Sequence, residues 1–334
     1  MAERVANLRA DLILKAMTRR TPAELNSVTL AVCTYRRPAL FEKFVRSVDG
    51  LVVPAGMRFQ LVVADNNAES HYELYIRDLL EGLRFKSLYG HEPEAGYGNA
   101  RNKALQLALQ TDAELLAFVD DDMALDPNWL LGHLRSYQEF ACDVVGGAIM
   151  GGHSRHKHGR RFAHGEERPM IGTCNVSFGR WIAAEDGLGL RFDPRFNKTG
   201  GEDKAFFSEA HRQGAKIVVS VYPVVHHSSP PGGAPLEDLK NKAQVSSIMH
   251  RNAIARLRNE RSFPAALIAA LGGLRFGLKS LFGYVDYSVS GLLRASGRAE
   301  RKKVSAYKNF QKMVQGFKGL SGDYVKRYEV RRSF

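Results

Sequence analysis

The fold is decided by the stretch Leu116-Ala117-Phe118-Val119-Asp120-Asp121-Asp122-Met123, an apolar run of strand-forming residues that ends in three carboxylates. In an open parallel sheet, ligands bind at the carboxyl ends of the strands. Three adjacent acids repel one another unless a positive charge lies among them. A divalent cation that carries a diphosphate would supply that charge, because Mg2+ and Mn2+ prefer hard oxygen ligands. The alternative is a solvated acidic turn before a helix that starts near Pro127.

The segments around this stretch alternate between strand and helix patterns. Polar residues stand at the carboxyl end of each predicted strand, and helical spacing of apolar residues fills the segments between the early strands. This order predicts a doubly wound, mostly parallel α/β sheet flanked by helices, in which the usual ligand is a nucleotide. The predicted strands are 28–35, 59–64, a weaker one near Leu88, 116–119, 143–149, 173–178 and 216–227, with a later helix over 204–213.

The composition is that of a globular protein, with 44% hydrophobic and 25% charged residues among 334. The three cysteines form no CxxC pair, which argues against a zinc site or a disulfide scaffold and fits a reducing cytosol. We find no signal-peptide pattern, no complete GxGxxG and no P-loop. The histidine- and arginine-rich segment 151–165 lacks the spacing of metal ligands and is interpreted as a basic loop, with contact to an anionic acceptor as the alternative.

The basic charge is concentrated at the end of the chain. Residues 251–334 hold 18 Lys and Arg against 5 Asp and Glu, which accounts for the whole formal net charge of +13. The uncharged stretch within this tail, 262–274, is shorter than the roughly 20 apolar residues that a bilayer span needs. A basic amphipathic helix follows, with apolar residues at spacings of 3, 3, 4 and 3. These residues are Val304, Tyr307, Phe310, Val314 and Phe317.

This tail predicts a peripheral enzyme that docks on an anionic membrane surface at the cytoplasmic face of the inner membrane. A helical cap packed on the sheet and a contact between copies in an oligomer are the alternatives. Nucleic-acid binding is disfavoured, because the charge lies on an apolar-striped helix without a recognisable nucleic-acid motif.

Six short motifs follow one another in a characteristic order. In this order they resemble the family 2 glycosyltransferases of the GT-A fold, and in particular the bacterial succinoglycan-type exopolysaccharide glycosyltransferases. The resemblance covers residues 28–230 and implies a GT-A catalytic domain over 27–250, between an N-terminal helix at 1–26 and the basic tail at 251–334. The motifs are Thr34-Tyr35-Arg36-Arg37-Pro38, Ala64-Asp65-Asn66, Gly96-Tyr97-Gly98-Asn99-Ala100-Arg101-Asn102, Asp120-Asp121-Asp122, Gly200-Gly201-Glu202-Asp203 and Val225-His226.

The resemblance implies a site for a nucleoside diphosphate sugar. Asp65 would accept the imide N–H of uracil, and Asn99, Arg101 and Asn102 in the first turn of a helix would favour phosphate. Asp120 would approach the ribose or the metal. The implied nucleotide-binding residues are Thr34, Arg36, Asp65, Asn67, Gly96, Asn99, Arg101, Asn102, Asp120 and Asp121.

The resemblance also implies an Mn2+ or Mg2+ cofactor held by Asp122 and His226, with His227 as the alternative ligand. Asp203 would act as the general base on the acceptor hydroxyl, with Glu202 beside it. From spacing alone, this acidic pair is also consistent with a favourably charged helix start. Further contacts to the donor or acceptor sugar are expected from Asn175, Trp181 and His227.

The sequence therefore predicts an inverting, metal-dependent glycosyltransferase that moves a sugar, from a UDP-sugar donor, to a hydroxyl of a lipid-linked glycan in polysaccharide synthesis. A nucleotidyltransferase is one alternative, although it usually carries a glycine-rich, lysine-bearing loop after the first strand. A non-catalytic, membrane-bound adaptor that binds nucleotide sugars is the other.

Overall fold

The computed structural model describes residues 25–67, 72–151, 163–197, 200–228 and 310. The chain divides into two compact units, one made of Met1–Asn197 and Glu202–Gly232 and the other of Lys198–Gly201 and Gly233–Phe334. Of the predicted N-terminal helix and basic tail, only the irregular residues 25 and 26 and the exposed, helical Phe310 are described. Within the described ranges, no helix combines the length and the apolar character that a bilayer crossing needs.

The described part alternates strands and helices over its first half, as its pattern predicts. A proline occupies the first turn of α1, where its fixed φ suits the helix and its missing N–H has no partner to lose. The elements are β1 Ser27–Thr34, α1 Pro38–Asp49, β2 Arg58–Asp65, α2 Glu73–Glu81, β3 Lys86–His91, α3 Tyr97–Leu109, β4 Leu115–Val119, β5 Met123–Leu125, α4 Trp129–Phe140, β6 Val144–Met150, β7 Asn175–Gly179, α5 Glu202–Arg212 and β8 Ile217–His227, with short 3-10 helices at Arg180–Ile182 and Pro194–Phe196.

The strands form one sheet in the order β3-β2-β1-β4-β7-β6-β8-β5. The first four in this order are parallel, so their carboxyl ends meet at one edge. Strand β7 runs antiparallel to both β4 and β6, β5 runs antiparallel to β8, and β6 and β8 are parallel. The parallel arrangement predicted from the sequence therefore holds for the first half, and the second half is mixed.

Both faces of the sheet are buried, which explains why its strands are continuous apolar runs. Because side chains alternate along a strand, Leu115, Ala117 and Val119 of β4 enter the cluster under α1, α2 and α4. Leu116 and Phe118 enter the opposite cluster, under α3 and α5. The alternation continues into the acidic triplet that follows β4, so successive carboxylates face opposite sides of the sheet and contact different elements.

Strand β5 is an element that the sequence did not predict. It is only three residues long and starts directly after Asp122. It pairs antiparallel with the end of β8, with Met123 opposite His227 and Ala124 opposite His226. This pairing brings the histidine pair back to the acidic triplet from a distant part of the sequence.

Candidate active site

The acidic triplet lies at the carboxyl edge of the parallel strands, at the position that the sequence predicts. Asp120 leaves β4 on the face covered by α3 and α5, and Asp121 leaves it on the face of α1. A turn follows, in which the Met123 N–H donates to the Asp120 carbonyl at 3.1 Å. The Ser228 N–H donates to the Asp122 carbonyl at 2.8 Å, so the end of β8 also fixes the backbone of the triplet.

Asp121 is buried against β1 and the start of α1. The Thr34 hydroxyl donates to its Oδ2 at 2.9 Å, and Arg37 Nη1 lies 3.3 Å from its Oδ1. Burial raises the pKa of Asp121 to about 6, while the Arg37 charge and the Thr34 hydrogen bond act in the opposite direction. Thr34, which the resemblance assigns to the nucleotide, is therefore placed at the triplet. It contacts a carboxylate rather than open solvent.

Asp122 faces Arg37 and the end of β8. Arg37 Nη1 lies 3.4 Å from its Oδ2, and His227 Nε2 lies 3.7 Å from the same oxygen. The other oxygen, Oδ1, is buried without a hydrogen-bond partner. His226 points away from the triplet, with Nε2 3.9 Å from Asp126 Oδ2 and a side chain 55% exposed. Neighbouring residues of a strand point to opposite sides, so the structure favours His227 over His226 as the ligand candidate.

The donor atoms around Asp122 fit a divalent cation. They are the carboxylate oxygens of Asp122 and an imidazole nitrogen from His227, and the unpartnered Asp122 Oδ1 is a buried acceptor that a cation would satisfy. Within the described residues, no group of three or more His, Cys, Asp and Glu side chains is already gathered at metal-binding distances. Hard oxygen ligands with one imidazole suit Mn2+ or Mg2+ better than a soft metal.

Asp120 belongs to a second, more buried charge cluster. Arg101 of α3 lies between Asp120, with Nη2 3.5 Å from Oδ1, and Glu202 of α5, which it contacts through Nη1. Its side chain is 13% exposed and that of Glu202 is 2% exposed. Glu202 Oε2 has no hydrogen-bond partner. Burial raises the pKa of Asp120, and the Arg101 guanidinium offsets part of that increase. Arg101 therefore joins the strand that carries the triplet to the helix that carries the acidic pair.

Asp203 lies in the same cluster as the triplet. Its charge and that of Asp122 both raise the pKa of Asp120. Its Oδ1 accepts from the Lys204 N–H at 2.7 Å, and a Cβ built on Gly172 would lie 3.0 Å from its Oδ2. The predicted base therefore directly follows Glu202, which Arg101 joins to Asp120 of the triplet.

The two glycines before this acidic pair are in the left-handed region of the backbone. Gly200 has φ +69° and Gly201 has φ +100°. Side chains rarely adopt these angles, whereas glycine does so without strain. The helix α5 then starts at Glu202, so both acids lie in its first turn, where the helix dipole favours negative charge.

Asp65 and Asn67, which the resemblance assigns to the nucleotide, lie at the end of β2, next to β3. Asp65 is fully buried, and its Oδ1 accepts from Asn67 Nδ2 at 2.5 Å while its Oδ2 accepts from the Tyr89 hydroxyl at 3.1 Å. The Arg36 N–H donates to Asn67 Oδ1 at 3.2 Å, and its guanidinium lies over the Tyr35 ring. Of the two arginines after β1, only Arg37 contacts the triplet. Arg36, which the sequence assigns to the nucleotide, does not.

The first turn of α3 is already occupied by protein groups. The Tyr97 N–H donates to the backbone carbonyl of Asn197 at 3.2 Å. The Asn99 N–H donates to Asn197 Oδ1 at 3.0 Å. Gly96 is required here, because a Cβ would collide with the Asn197 side chain. Asn102 exchanges two hydrogen bonds of 2.8 Å with the backbone of Phe192. In this structure, Asn99 and Asn102 hold α3 to the segment before α5.

Two expected sugar contacts are placed elsewhere. Asn175 accepts from Trp129 Nε1 at 2.8 Å. It donates to the carbonyl of Ala148 at 2.9 Å and to that of Pro223 at 3.0 Å. These hydrogen bonds connect β7 to α4 and β8. Trp181 follows β7 and, because β7 is antiparallel to β4, lies beyond the Leu115 end rather than the triplet end. The structure therefore gives Asn175 a packing role and removes Trp181 from the site.

Sequence reasoning missed several residues that shape this site. Arg37 is one of two adjacent arginines in a motif, and Asn197 lies outside every motif. Two thiols also border the charge cluster: burial raises the pKa of Cys33 and of Cys174 to about 12, and the Asp120 and Arg101 charges act on both. Arg37 stands directly before the proline that starts α1, which is the one sequence feature that could have separated it from Arg36.

Comparison with known proteins gives concordant results. The family model for glycosyl transferase family 2 matches residues 29–179. The succinoglycan biosynthesis protein ExoM of Rhizobium meliloti (strain 1021) is 33% identical over 249 residues, which cover 70% of this chain and 77% of that protein.

Two solved structures share the architecture. The mannosyltransferase PcManGT from Pyrobaculum calidifontis, in complex with GDP-Man and Mn2+, aligns with a TM-score of 0.58 at 14% identity and covers 94% of this chain and 96% of that one. Residues 1–349 of S. aureus TarS align with a TM-score of 0.50 at 18% identity, over 87% and 92% of the chains. At such identities the likeness concerns the fold alone, and it confirms the predicted GT-A fold.

Proposed function

Since this chain belongs to glycosyltransferase family 2, we propose that it is an inverting, metal-dependent transferase that moves a sugar from a UDP-sugar to a hydroxyl of a lipid-linked glycan acceptor. That the chain is a glycosyltransferase follows from the family. The inversion, the metal, the nucleobase and the acceptor belong to the proposal. The 33% identity of the chain to a succinoglycan biosynthesis protein supports a role in exopolysaccharide synthesis.

The observation that carries the proposal is the contact of Arg101 with both Asp120 of the triplet and Glu202, the residue directly before Asp203. A transferase that inverts configuration in one step needs a base on the acceptor side and charge stabilisation on the leaving-group side of the same anomeric carbon. Here one guanidinium joins the two groups of acids. A nucleotidyltransferase would have no use for a separate acid at the start of α5.

We assign Asp203 to the acceptor proton. As the acceptor oxygen attacks the anomeric carbon, its proton passes to the Asp203 carboxylate. The bond between that carbon and the diphosphate oxygen breaks on the opposite face, and the nucleoside diphosphate leaves with the bonding electrons. Asp203 is only partly buried and its backbone contact involves Oδ1, which leaves Oδ2 beside Gly172 to face a hydroxyl.

Asp122 and His227 are the residues that would hold the metal. A divalent cation bound there would neutralise charge that develops on the departing diphosphate. Asp122 contributes the buried, unpartnered Oδ1, and β5 and β8 together hold His227 at the same carboxylate.

The assignment of Asp203 as the general base is tested by Asp203→Asn, with Asp186→Asn as a matched control at an exposed residue. Donor affinity, measured by calorimetry, should stay within about twofold, while transfer should fall by about 10²–10⁴-fold. The control should behave as the wild type in both measurements. Nearly normal turnover by the Asp203→Asn enzyme would contradict this assignment, and retention of the anomeric configuration in the product would contradict inversion.

The preference for UDP is proposed from Asp65. Its carboxylate stands at the end of β2, oriented by Asn67 and Tyr89, and a carboxylate suits the imide N–H of uracil. Thermal shift with UDP and GDP in the presence of Mn2+ distinguishes the two bases. A larger shift with GDP would overturn the choice of uracil.

The acceptor and the location are proposed from the basic tail. Four lysines, Lys303, Lys308, Lys312 and Lys318, accompany the apolar stripe. Each cation near an anionic surface contributes about 1 kcal/mol, so changing all four to glutamine should weaken binding to anionic vesicles by two or more orders of magnitude. Co-sedimentation of the full-length variant and wild type provides the measurement. Equal binding would exclude docking through these lysines.

A further inference from the structure

Arg37 is held at the triplet in a different manner from Arg101. One nitrogen, Nη1, is shared between Asp121 Oδ1 at 3.3 Å and Asp122 Oδ2 at 3.4 Å, and the side chain is 52% exposed. Arg101 is 13% exposed and lies between two acids that belong to different elements. Both contacts of Arg37 are long and lack the parallel, two-bond geometry of a strong arginine–carboxylate pair. Arg37 is thus the more loosely held of the two guanidiniums at the site.

The position of Arg37 conflicts with a metal at Asp122. A divalent cation and a guanidinium on one carboxylate repel each other, and His227 already approaches the oxygen that Arg37 uses. A diphosphate that arrives with the metal offers the guanidinium a new partner, because its planar fork matches phosphate oxygens.

We propose that Arg37 is an exchangeable counter-ion, which partly offsets the negative charge of Asp121 and Asp122 in the free enzyme and moves to the donor diphosphate when a divalent cation binds at Asp122. This inference rests on the metal dependence in the proposed function. It makes Arg37 a positioning residue for metal binding and a binding residue for the donor. As a consequence, metal and nucleotide bind cooperatively, because each favours the displaced position of the same side chain.

The test is a titration with Mn2+ alone, followed by electron paramagnetic resonance, of the wild type, Arg37→Gln and Arg46→Gln. Arg46 lies on the same helix, is 77% exposed and pairs with Glu42, so its substitution removes an equal charge away from the site. We expect Arg37→Gln to bind Mn2+ alone several-fold tighter than the wild type, and Arg46→Gln to match the wild type. Equal melting temperatures would show that all three are folded.

The second arm repeats the titration with UDP present. UDP should raise the Mn2+ affinity of the wild type clearly and that of Arg37→Gln much less, and UDP alone should bind the variant several-fold more weakly. If Arg37→Gln binds Mn2+ no tighter than the wild type, the cation uses the free Asp122 Oδ1 beside Arg37 and the exchange is overturned. If no protein binds Mn2+ even with UDP, the metal dependence fails, and this inference fails with it.

Discussion

The substitution Arg101→Met is expected to destabilise the fold strongly. Arg101 contacts Glu202, which is 2% exposed and whose Oε2 has no other partner. Removing the guanidinium leaves that buried carboxylate unpaired and also exposes Asp120 to the charges of Asp122 and Asp203. Breaking a buried ion pair from one side typically costs about 3–5 kcal/mol, and we expect a loss in that range.

The reverse substitution, Glu202→Gln, should cost less, because Arg101 keeps its contact with Asp120 at 3.5 Å. A loss of about 1–3 kcal/mol is expected from the weakened hydrogen bonding of the guanidinium. The double variant Arg101→Met/Glu202→Gln should be more stable than the sum of the two losses predicts, since it leaves neither a buried carboxylate nor a buried guanidinium without a partner.

Urea unfolding followed by circular dichroism measures all three variants in one cycle. A loss below about 1 kcal/mol for Arg101→Met would refute the reasoning, because a buried carboxylate without a partner must be costly. Strict additivity in the cycle would refute it as well, since it would mean that the two side chains do not interact in solution.

Three further predictions concern single residues. Burial lowers the pKa of His133 from 6.5 to about 3. The free energy of unfolding should therefore fall by about 1.4 kcal/mol for each pH unit as the pH drops from about 6.5 towards 3. His133→Gln should remove this slope in urea unfolding, and an unchanged slope would contradict the prediction. Gly172→Ala should lower kcat at least several-fold with little loss of stability, because the new methyl group would lie 3.0 Å from Asp203 Oδ2. An unchanged kcat would show that the carboxylate moves aside freely. His227→Ala should weaken Mn2+ binding about 10-fold or more, whereas His226→Ala should leave it unchanged. A larger loss of Mn2+ affinity in His226→Ala would restore His226 as the ligand.

The sequence predicted the elements whose apolar runs are long enough to show a period. Strands β1, β2 and β4 were found within two residues of their bounds, because they are buried on both faces and end in polar residues. Strand β5 has only three residues and its partner lies about a hundred positions away, so no local pattern reveals it. The register of the histidine pair depends on that partner, which is why the choice between His226 and His227 could not be made locally.

The errors at the site have a similar origin. Trp181 was expected near a sugar because it follows a strand close to the cleft, but the direction of β7 depends on tertiary pairing. Asn175 and Asn102 were assigned to ligands by residue type, whereas the fold uses their amides for buried backbone groups. Arg36 has φ +51°, and this backbone conformation turns it onto Tyr35 while Arg37 reaches the acids. Motif matching locates a segment, and only packing decides which of its side chains faces the ligand.

The repulsion among the three consecutive acids is resolved in stages. Strand alternation sends Asp120 to Arg101 and Asp121 to Thr34, and the turn into β5 brings Asp122 to His227, so each carboxylate has one partner of its own. Arg37 is shared by Asp121 and Asp122. The two guanidiniums nevertheless face five acids once Glu202 and Asp203 are counted, and this excess of negative charge opposes the approach of a diphosphate. The proposed divalent cation at Asp122 would reduce this excess, independently of any role in the bond-breaking step.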